Sequence, residues 1–416
     1  MKPGVRVIPH RPEGSCPRPL SPSPRFDNIR SGPPNVLLIG SGAVGSVVAR
    51  HLAASDAIGR ILLADVDGEL VKRVADSLRS PKVSATPLDA GDAEGLRRTM
   101  DGFHLVVNTS LPRFNRPIQG AARDVGLHYL DPANDSRDPF ADSETWRAKG
   151  LTALCAMGED PGISNVFARF AADGMDRVES IRVRDGDTAS SPNHPFIALF
   201  SPETFVEETV ASSRIWRDGA YESVPPFGAA ETFEFPPPIG PLTVYSVDHE
   251  EVDTLPRFIG KGVQYVDFKL ALDDTTVRSL KLFRDLGLLE RGPPGGPSPR
   301  KALFAVLPKP AELAGHVDGH ASVLVEVAGE RAGERVVHTI YATLSHRDAF
   351  ERFGATATAY LTGSGMAAGA ILLANGTIQE RGELSPESLD PKPFFPILRS
   401  FGLDVHERIR HERTLN

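Results

Sequence analysis

One short glycine-rich turn constrains the fold of this chain more than any other feature of its sequence. The apolar run at residues 35–39 stops at residues 40–45, which read Gly-Ser-Gly-Ala-Val-Gly, and apolar residues then recur at helical spacing as far as residue 54. A strand, a glycine turn and a helix in this order are typical of a unit that binds a dinucleotide. Asp65 ends the next apolar run, about twenty residues further on, where such units hold the ribose.

Each glycine of the turn has its own predicted role. Gly40 permits the tight turn, Gly42 lets the backbone approach the pyrophosphate, and Gly45 lets the helix pack closely on the strand. Free N–H groups at the start of the helix would bind the phosphates. The alternative is a purely structural glycine turn. The predicted cofactor-binding residues are Gly40, Gly42, Ala43, Val44, Gly45, Asp65, Asp89, Asn108, Thr109 and Cys155.

Asp65 also bears on the choice of cofactor. A carboxylate at this position accepts hydrogen bonds from both ribose hydroxyls and repels a 2′-phosphate. The next three residues are Val-Asp-Gly, so two acids and no base lie at the end of this run. The sequence therefore favours NAD as the cofactor. NADP stays possible because Arg60 or Arg73 could fold toward the ribose.

The alternation of apolar and amphipathic segments predicts the fold class. Short apolar runs separated by helical patterns occur at residues 60–65, 83–87, 103–108, 128–130 and 151–157. Such runs predict a parallel sheet covered by helices on both faces. Residues 180–184 and 322–327 alternate instead, which predicts a sheet with one exposed face. We therefore expect an α/β protein: a Rossmann-type doubly wound parallel sheet plus a second α+β substrate domain with a mixed sheet.

Composition divides the chain into four predicted segments. Residues 1–33 are rich in proline and basic side chains and predict a disordered tail. Residues 34–160 predict the NAD(P)-binding domain, and residues 161–350 the substrate and dimerisation domain. Residues 351–416 predict a C-terminal segment, with a long helix, that packs back on the first domain. Pro/Gly-rich residues 233–240 and 292–299 predict connectors.

Charge and cysteine content exclude several classes of partner. Lys plus Arg number 46 and Asp plus Glu number 54, a net charge of −8, whereas proteins that bind phosphate backbones carry the opposite excess. No nucleic-acid partner is expected. Because no apolar run approaches the ~18–20 residues that span a bilayer, no membrane association is expected either. Two cysteines, Cys16 and Cys155, are too few for a disulfide framework and indicate a reduced, cytoplasmic location.

Segments beyond the glycine turn resemble one known family in collinear order. They read Val-Val-Asn at 106–108, His-Tyr-Leu-Asp at 128–131, Gly-Glu-Asp-Pro-Gly at 158–162, His-Glu-Glu-Val-Asp-Thr-Leu-Pro-Arg at 249–257, Thr-Ala-Thr-Ala at 356–359 and Leu-Ser-Pro-Glu at 384–387. Over nearly all of residues 35–416 the chain resembles the saccharopine dehydrogenase family. It departs from the family pattern where Met157 precedes Gly158, because the only nearby thiol, Cys155, lies two positions earlier.

The resemblance implies hydride transfer between NAD(P) and a carbon that bears nitrogen. We expect an amino-acid substrate of the lysine 6-dehydrogenase or saccharopine dehydrogenase type. The alternatives are an imine reductase of the carboxynorspermidine or polyamine type, and a catalytically silent NAD-binding protein. The resemblance also implies a homodimer, because dimers are frequent in the family.

Two charged groups are expected to hold an amino acid. For its carboxylate the leading candidate is Arg257, whose guanidinium is a planar two-point clamp, and Lys269 and Arg347 stand behind it. The alternative for these three cations is an ordinary salt bridge. For the ammonium group the candidates are Glu250 and Asp131, and Asp160 could also contribute; the alternative for Asp131 is capping of the next helix.

His249 is the candidate for proton transfer at nitrogen, since an imidazole with an ordinary pKa near ~6.5 is easily tuned in either direction. Its alternative is a structural hydrogen bond. Cys155 is expected to be a buried packing residue rather than a nucleophile. No metal is predicted, because the sequence has no close His/Cys ligand cluster and His316 with His320 lies in a Gly/Asp-rich loop.

Overall fold

We describe the fold on a computed structural model of the chain. The structure describes residues 32–134, 140–293, 296 and 298–412. The predicted disordered tail therefore lies outside the described residues, apart from its last two positions. Below, strands and helices are numbered in chain order.

Seven parallel strands form the first sheet. They are β1 (Val36–Ile39), β2 (Ile61–Asp65), β3 (Val83–Pro87), β4 (Leu105–Asn108), β5 (His128–Leu130), β6 (Thr152–Leu154) and β15 (Gly382–Leu384). Their order is β15-β6-β5-β4-β1-β2-β3, with β1 between β4 and β2. The chain thus reverses its direction of winding at β1, and open α/β sheets bind ligands outside the carboxyl ends of the strands at such a point.

Helices cover both faces of this sheet and confirm the predicted Rossmann-type fold. They are α1 (Ala43–Ala54), α2 (Gly68–Leu78), α3 (Ala93–Met100), α4 (Asn115–Val125) and α5 (Ser143–Ala148). β1 is buried along its whole length, as its unbroken apolar sequence predicts. Asp67 and Asp92 start α2 and α3 by accepting hydrogen bonds from backbone N–H groups of the first turn.

A nine-stranded mixed sheet forms the second domain. Its strands are β7 (Arg177–Asp187), β8 (Ser213–Arg217), β9 (Ala220–Val224), β10 (Glu231–Phe235), β11 (Gly240–Ser246), β12 (Tyr265–Ala271), β13 (His320–Arg331), β14 (Glu334–Ser345) and β16 (Val405–Glu412). The order is β10-β11-β12-β7-β13-β14-β16, and the β8–β9 hairpin is attached to β12. Among the described strands of this sheet, only β12 and β7 pair in parallel. The predicted mixed sheet is confirmed.

The remaining helices lie around this sheet and between the domains. They are α6 (Ile163–Asp173), α7 (Pro202–Val210), α8 (Glu251–Ile259), α9 (Asp274–Asp285), α10 (Pro299–Val306), α11 (His346–Phe353), α12 (Ala357–Ala374) and α13 (Phe394–Ser400). Short 3₁₀ turns occur at Pro112–Phe114, Pro310–Leu313 and Pro386–Ser388. α6 packs against β13 and β14 and against α8, so its apolar side chains join the cores of the two domains.

The C-terminal segment contributes a strand to each sheet, whereas the sequence predicted that it packs on the first domain alone. Helix α12 packs on α1, and a Cβ built on Gly363 would lie 2.6 Å from a methyl carbon of Val47, which shows how closely the two helices approach. β15 extends the first sheet beside β6, but β16 pairs with β14 in the second sheet. The connector predicted at 233–240 is also partly structured, because Phe233 lies in β10 and the turn of the hairpin falls on Pro236–Pro238.

Helix α12 corrects the expectation that no apolar segment reaches membrane-spanning length. Its 18 residues are long and apolar enough to cross a bilayer. Nearly all of its side chains are buried, and it packs against α1, α11 and α13. Its apolar composition is therefore explained by burial on all sides within the protein.

Candidate active site

The glycine turn has the geometry that its sequence predicts. Gly40 has φ +98°, and its N–H donates to the Ala64 carbonyl at 2.8 Å. A Cβ built on Gly40 would lie 2.7 Å from Thr109 Oγ1, and one built on Gly45 would lie 2.2 Å from the Gly40 oxygen. The first and third glycines are thus required by the packing of the turn itself. Thr109 fastens the turn, since its Oγ1 donates to the Gly40 oxygen at 2.9 Å.

The second glycine faces open space instead. Within the described chain, no atom lies within 4 Å of a Cβ built on Gly42. Gly42 is the N-cap of α1, which no side chain caps, so the first-turn N–H groups, including those of Ala43 and Val44, are available to an anion. Ser41 Oγ is buried with no hydrogen-bond partner in the described part of the chain. The residues present fit the pyrophosphate of a dinucleotide.

Asp65 lies beside this turn, at the end of β2. Its Oδ2 accepts a hydrogen bond from the Ser41 N–H at 2.6 Å, and its Oδ1 accepts one from the Asp67 N–H at 3.0 Å. The carboxylate is half-buried and held in place, with lone pairs left for ribose hydroxyls. Arg60, which could have favoured a 2′-phosphate, is at the other end of β2, with its guanidinium over the Phe103 ring at 4.7 Å.

The other predicted cofactor residues are placed differently. Asn108 is fully buried and donates from Nδ2 to Asn115 and to the Tyr129 hydroxyl, so it joins β4 to α4 and β5. Asp89 is exposed and accepts a hydrogen bond from the Gly91 N–H at 2.8 Å. Cys155 packs in the core on the side of Trp146 and Leu151, and burial raises the pKa of its thiol. Its Sγ lies 3.5 Å from Gln119 Nε2, on α4.

Asp131 stabilises a backbone turn. It is 2 % exposed, and its Oδ1 accepts a hydrogen bond from the N–H of Ala156 at 2.8 Å. Ala156 has φ +60°, so the carboxylate holds a conformation that a non-glycine residue seldom adopts. The alternative role of helix capping is not seen in the described residues, because the next described helix begins at Ser143 and Asp142 is its N-cap.

His249 is enclosed by acids where β11 leads into α8. Its Nδ1 hydrogen-bonds Glu251 Oε2 and lies 3.7 Å from Glu250 Oε2. The imidazole stacks on the Phe268 ring, with the ring centroids 3.7 Å apart. Glu251 is fully buried and also accepts a hydrogen bond from the Ser164 hydroxyl at 2.8 Å. Glu250 reaches the first domain, because its Oε1 accepts from the Asn134 N–H, just beyond the carboxyl end of β5.

These contacts decide the charge of His249. Burial is the largest single influence on its pKa and lowers it. The negative charges of Glu251, Glu250 and Glu208 outweigh burial and raise the pKa of His249 to about 10. Its Nδ1 therefore carries a proton at neutral pH, and the side chain is an imidazolium. A charged histidine is a proton donor rather than a base.

Four further acids lie next to this group and were not all predicted. Burial raises the pKa of Glu208 to about 8 and that of Asp185 to about 7, and it raises the pKa of Glu159 and Asp160 as well. Among the described residues, no lysine or arginine nitrogen lies within 4 Å of these four carboxylates. Glu159 is buried and the other three are half-buried, and carboxylates with pKa values raised in this way are a feature of functional sites.

One sequence pattern could have predicted that acids of β7 lie at a site. Asp185 and Asp187 continue at period two the row of Ile181 and Val183 on β7, and that row faces the core. Acids in a predicted core-facing row mark a site, since buried charges are rare unless they are paired. Asp160 was among the predicted candidates, and it lies in this group. Glu159, Asp185, Asp187 and Glu208 were missed.

The three predicted carboxylate-binding cations lie away from the acids. Arg257 is exposed at the far end of α8, with its guanidinium over the Phe140 and Phe258 rings. Lys269 is buried and pairs with Glu231 at 3.0 Å. Arg347 is exposed and pairs with Asp318 in a surface salt bridge. For Lys269 and Arg347 the structure therefore agrees with the alternative reading of an ordinary ion pair.

A second group of cations borders α7 on another side. Arg113, in the loop after β4, pairs with Glu203 of α7 at 3.0 Å. Arg300 pairs with Glu207 at 2.7 Å, and Arg291 pairs with the same carboxylate. A cavity of about 770 Å³ lies between these side chains and Lys301. Arg113 is thus a cation at the carboxyl edge of the first sheet that the sequence did not single out.

The group of His249, Glu250 and Glu251 also departs from the prediction that no metal-ligand cluster exists. One ligand-type atom from each residue lies within 4.8 Å of the other two. The proton on Nδ1 already links the imidazole to Glu251 and supplies a positive charge between the carboxylates. This arrangement is accounted for by an imidazolium–carboxylate pair, and we assign no metal to it.

Comparison with known families decides the identity of the fold. The saccharopine dehydrogenase NADP-binding domain matches residues 36–154, and the saccharopine dehydrogenase C-terminal domain matches residues 158–403. The chain belongs to the saccharopine dehydrogenase family. It is therefore an NAD(P)-binding oxidoreductase, and the resemblance stated from the sequence is confirmed.

Individual members of the saccharopine dehydrogenase family extend the comparison. The chain is 29% identical over 389 residues to carboxyaminopropylagmatine dehydrogenase of Synechocystis sp., covering 89% of this chain and 97% of that protein. It is 29% identical over 401 residues to carboxynorspermidine synthase of Vibrio alginolyticus, covering 89% and 96%. Saccharopine dehydrogenase (L-Glu forming) of Saccharomyces cerevisiae shares the fold, with a TM-score of 0.69 at 18% identity over 91% of this chain and 100% of that one.

Proposed function

We propose that this protein is an NAD(P)-dependent imine reductase that joins an amino-acid semialdehyde to an aliphatic diamine or guanidino-amine. In the reaction the aldehyde and the primary amine condense with loss of water. The imine carbon then accepts a hydride from the reduced nicotinamide, while the imine nitrogen gains a proton and becomes a secondary amine. This proposal selects the polyamine-type alternative over the lysine and saccharopine substrates that the sequence favoured.

The observation that carries the proposal is the set of acids around His249. The charge of Glu251 raises the pKa of Glu208, Glu250, Asp185 and Asp160, and His249 is the cation that lowers the pKa of Glu208, Glu250 and Asp185. A site with such an excess of carboxylates attracts cations and disfavours a free carboxylate. An amine with several positive charges fits it better than an amino acid does. Relatives that are named for carboxylated polyamines support the same substrate class.

We assign His249 the role of proton donor to the imine nitrogen. It is protonated at neutral pH, and within the described residues its Nε2 has no hydrogen-bond partner. A pKa of about 10 is close to that of an aliphatic amine, so transfer of the proton in either direction would need little free energy. Glu251 holds the imidazole ring through Nδ1, and its contact with Ser164 fixes the carboxylate.

For the cofactor we propose a preference for NADH. A 2′-phosphate at the end of β2 would be repelled by the Asp65 carboxylate. Arg60 could not neutralise it, because its guanidinium packs on the Phe103 ring at the other end of the strand. We propose that Arg257 or Arg113 binds the carboxylate of the semialdehyde. Arg113 is added to the predicted candidate because it lies at the carboxyl edge of the first sheet.

The test is a reductive assay on the purified protein. Aspartate β-semialdehyde is supplied with 1,3-diaminopropane, putrescine or agmatine, and oxidation of NADH and of NADPH is followed in parallel by absorbance. We expect turnover with at least one of these amines, and faster turnover with NADH. Oxidation of L-lysine or saccharopine with NAD, without turnover in the reductive assay, would overturn the proposed substrate class.

Substitution of His249 tests its role. We expect His249→Gln to lower kcat about 100-fold or more, the usual size of a general acid–base contribution, while the affinity for the dinucleotide is unchanged. The matched control is His316→Gln, because His316 is exposed. Wild-type kcat in His249→Gln would show that the imidazole transfers no proton.

A further inference from the structure

Glu159 is a buried carboxylate that the proposed chemistry at His249 does not use. It lies in the loop at residues 158–162 that leads into α6, and it is 3 % exposed. Its Oε1 is buried with no hydrogen-bond partner in the part of the chain that the structure describes. Buried polar atoms are almost always satisfied, so a carboxylate oxygen left without a donor indicates a ligand that supplies one.

Three other acids, Asp160, Asp185 and Asp187, lie near Glu159. The charges of Asp185 and Asp187 raise the pKa of Glu159, and those of Asp185 and Glu159 raise the pKa of Asp160. Asp160 Oδ2 is likewise buried and unpartnered within the described chain. Asp185 and Asp187 extend from the same face of β7, which is the face that packs toward α6 and Phe268.

Asp187 differs from Glu159 and Asp160 because both of its carboxylate oxygens have partners. Glu159 hydrogen-bonds Thr362, and Asp160 hydrogen-bonds Asp185, but each keeps one oxygen without a partner in the described residues. His346 Nδ1 accepts a hydrogen bond from the Ala357 N–H, so its proton is on Nε2, which donates to Asp187 Oδ1 at 3.3 Å. Thr358 donates to Asp187 Oδ2 at 3.3 Å. Asp187 is therefore held by α11 and α12, whereas Glu159 and Asp160 present oxygen atoms that nothing in the described residues occupies.

We propose that Glu159, Asp160 and Asp185 form a second cation subsite, which binds the distal ammonium or guanidinium group of the amine substrate. The inference rests on the proposed function, because it assigns a place to the part of that substrate that does not react. The charges of Asp187 and Glu251 raise the pKa of Asp185, and the charge of His249 lowers it. Asp185 thus interacts with acids of both groups, and we place the aliphatic chain of the substrate along it, with one charge at each group.

The subsite makes a prediction about substrate length that the His249 group alone does not make. A primary monoamine can reach His249 but brings no cation to Glu159 and Asp160. A diamine or agmatine fills both places, and hydrogen bonds between charged groups are the stronger ones in proteins. We expect KM to be lower for amines with a second, distal charge than for monoamines, whereas kcat should differ little between them.

The experiment compares propylamine with 1,3-diaminopropane and agmatine in the wild type and in Glu159→Gln. Gln keeps the shape of the side chain but cannot ionise to pair with a bound cation. We expect KM for the dicationic amines to rise about 10-fold or more, while KM for propylamine and kcat for all three change less than about twofold. The control is Glu234→Gln, which removes an exposed carboxylate on β10 and leaves all values unchanged.

Equal effects of Glu159→Gln on the monoamine and on the dicationic amines would overturn the subsite, as would no effect on either. A thermal-shift series separates this result from failure of the proposed reaction. If no amine is turned over by the wild type, the subsite still predicts a larger shift with 1,3-diaminopropane than with propylamine, and loss of that difference in Glu159→Gln. A larger shift with Mg²⁺ or Ca²⁺ than with any amine would overturn the assignment to an organic cation.

Discussion

At the scale of single residues, ionisation of the acids in the candidate active site destabilises the ligand-free protein. A buried carboxyl with a raised pKa binds more protons in the folded state than in the unfolded state, so the free energy of unfolding falls as pH rises between the two pKa values. For Glu208 this interval runs from an ordinary glutamate pKa to about 8. For Asp185 it ends at about 7.

Glu208→Gln should therefore stabilise the ligand-free protein at alkaline pH. At about pH 9 Glu208 is ionised and poorly solvated, and we expect Gln to raise Tm by about 1–3 °C; at about pH 5 the carboxyl is protonated and Tm should not change. Thermal unfolding at the two pH values measures the difference. Glu234→Gln serves as the exposed control, and a lower Tm for Glu208→Gln at about pH 9 would contradict the argument.

His249 has the opposite sign. Its folded pKa, about 10, is above that of an unfolded histidine, so its contribution to stability is fully present below about pH 6.5 and is lost as pH rises through about 10. Through the neutral pH range, the stabilising contribution of the imidazolium thus offsets part of the destabilisation caused by the carboxylates. A bound diamine would complete this compensation.

At the scale of single elements, most of the first sheet could be predicted from the sequence. Strands β1 and β3 and helix α1 match the predicted segments, because short apolar runs and helical spacing report burial directly. The strand predicted at 151–157 is only Thr152–Leu154, since Asp131 binds the backbone at Ala156 and turns the chain. That turn depends on a side chain 25 residues away.

The glycine turn allows two of its residues to be tested against each other. We expect Gly45→Ala to lower Tm by several degrees, because the new Cβ would lie 2.2 Å from the Gly40 oxygen and overpacking costs about 1–3 kcal/mol. Gly42→Ala should leave Tm unchanged and weaken dinucleotide binding about 10-fold, because its Cβ would enter the open space at the start of α1.

Calorimetric titration with NADH and thermal unfolding measure these two effects separately. Each variant is the control for the other. A Gly42→Ala protein that binds NADH as the wild type does would show that the space at the start of α1 is not the pyrophosphate site.

At the scale of the whole molecule, the two domains are not independent along the chain. Helix α12 covers the first sheet through α1, and β15 completes its edge beside β6, although both come from the C-terminal segment. The same helix supplies Thr358 to Asp187 of the second sheet. The candidate active site is therefore held by elements from three separate parts of the sequence.

This interdependence predicts how a truncated chain behaves. A fragment of residues 32–160 contains the glycine turn and six strands of the first sheet, but it lacks α12 and β15. We expect it to unfold without cooperativity in a thermal melt followed by circular dichroism, because the apolar face of α1 would be exposed to water. The full chain is the control. A cooperative fragment whose Tm rises with NADH would contradict the expectation.

The homodimer and the cytoplasmic location stay predictions at this scale. Light scattering coupled to size-exclusion chromatography measures the first of them. The face of the second sheet opposite Val183 carries the buried ion pair between Arg184 and Asp267 and the apolar cluster of Phe235, Val244, Ala271 and Leu324.

The sequence by itself determined the dinucleotide turn, the parallel sheet and the family, because each depends on neighbours in the chain or on residues matched in order. Only the tertiary structure decided what the second domain offers to a substrate. Glu159, Asp185, Glu208 and His249 are far apart in sequence, and the pKa of each depends on burial and on the charges that folding brings beside it. A linear pattern records which residues are acidic, but it does not record which acids fold together around one buried histidine.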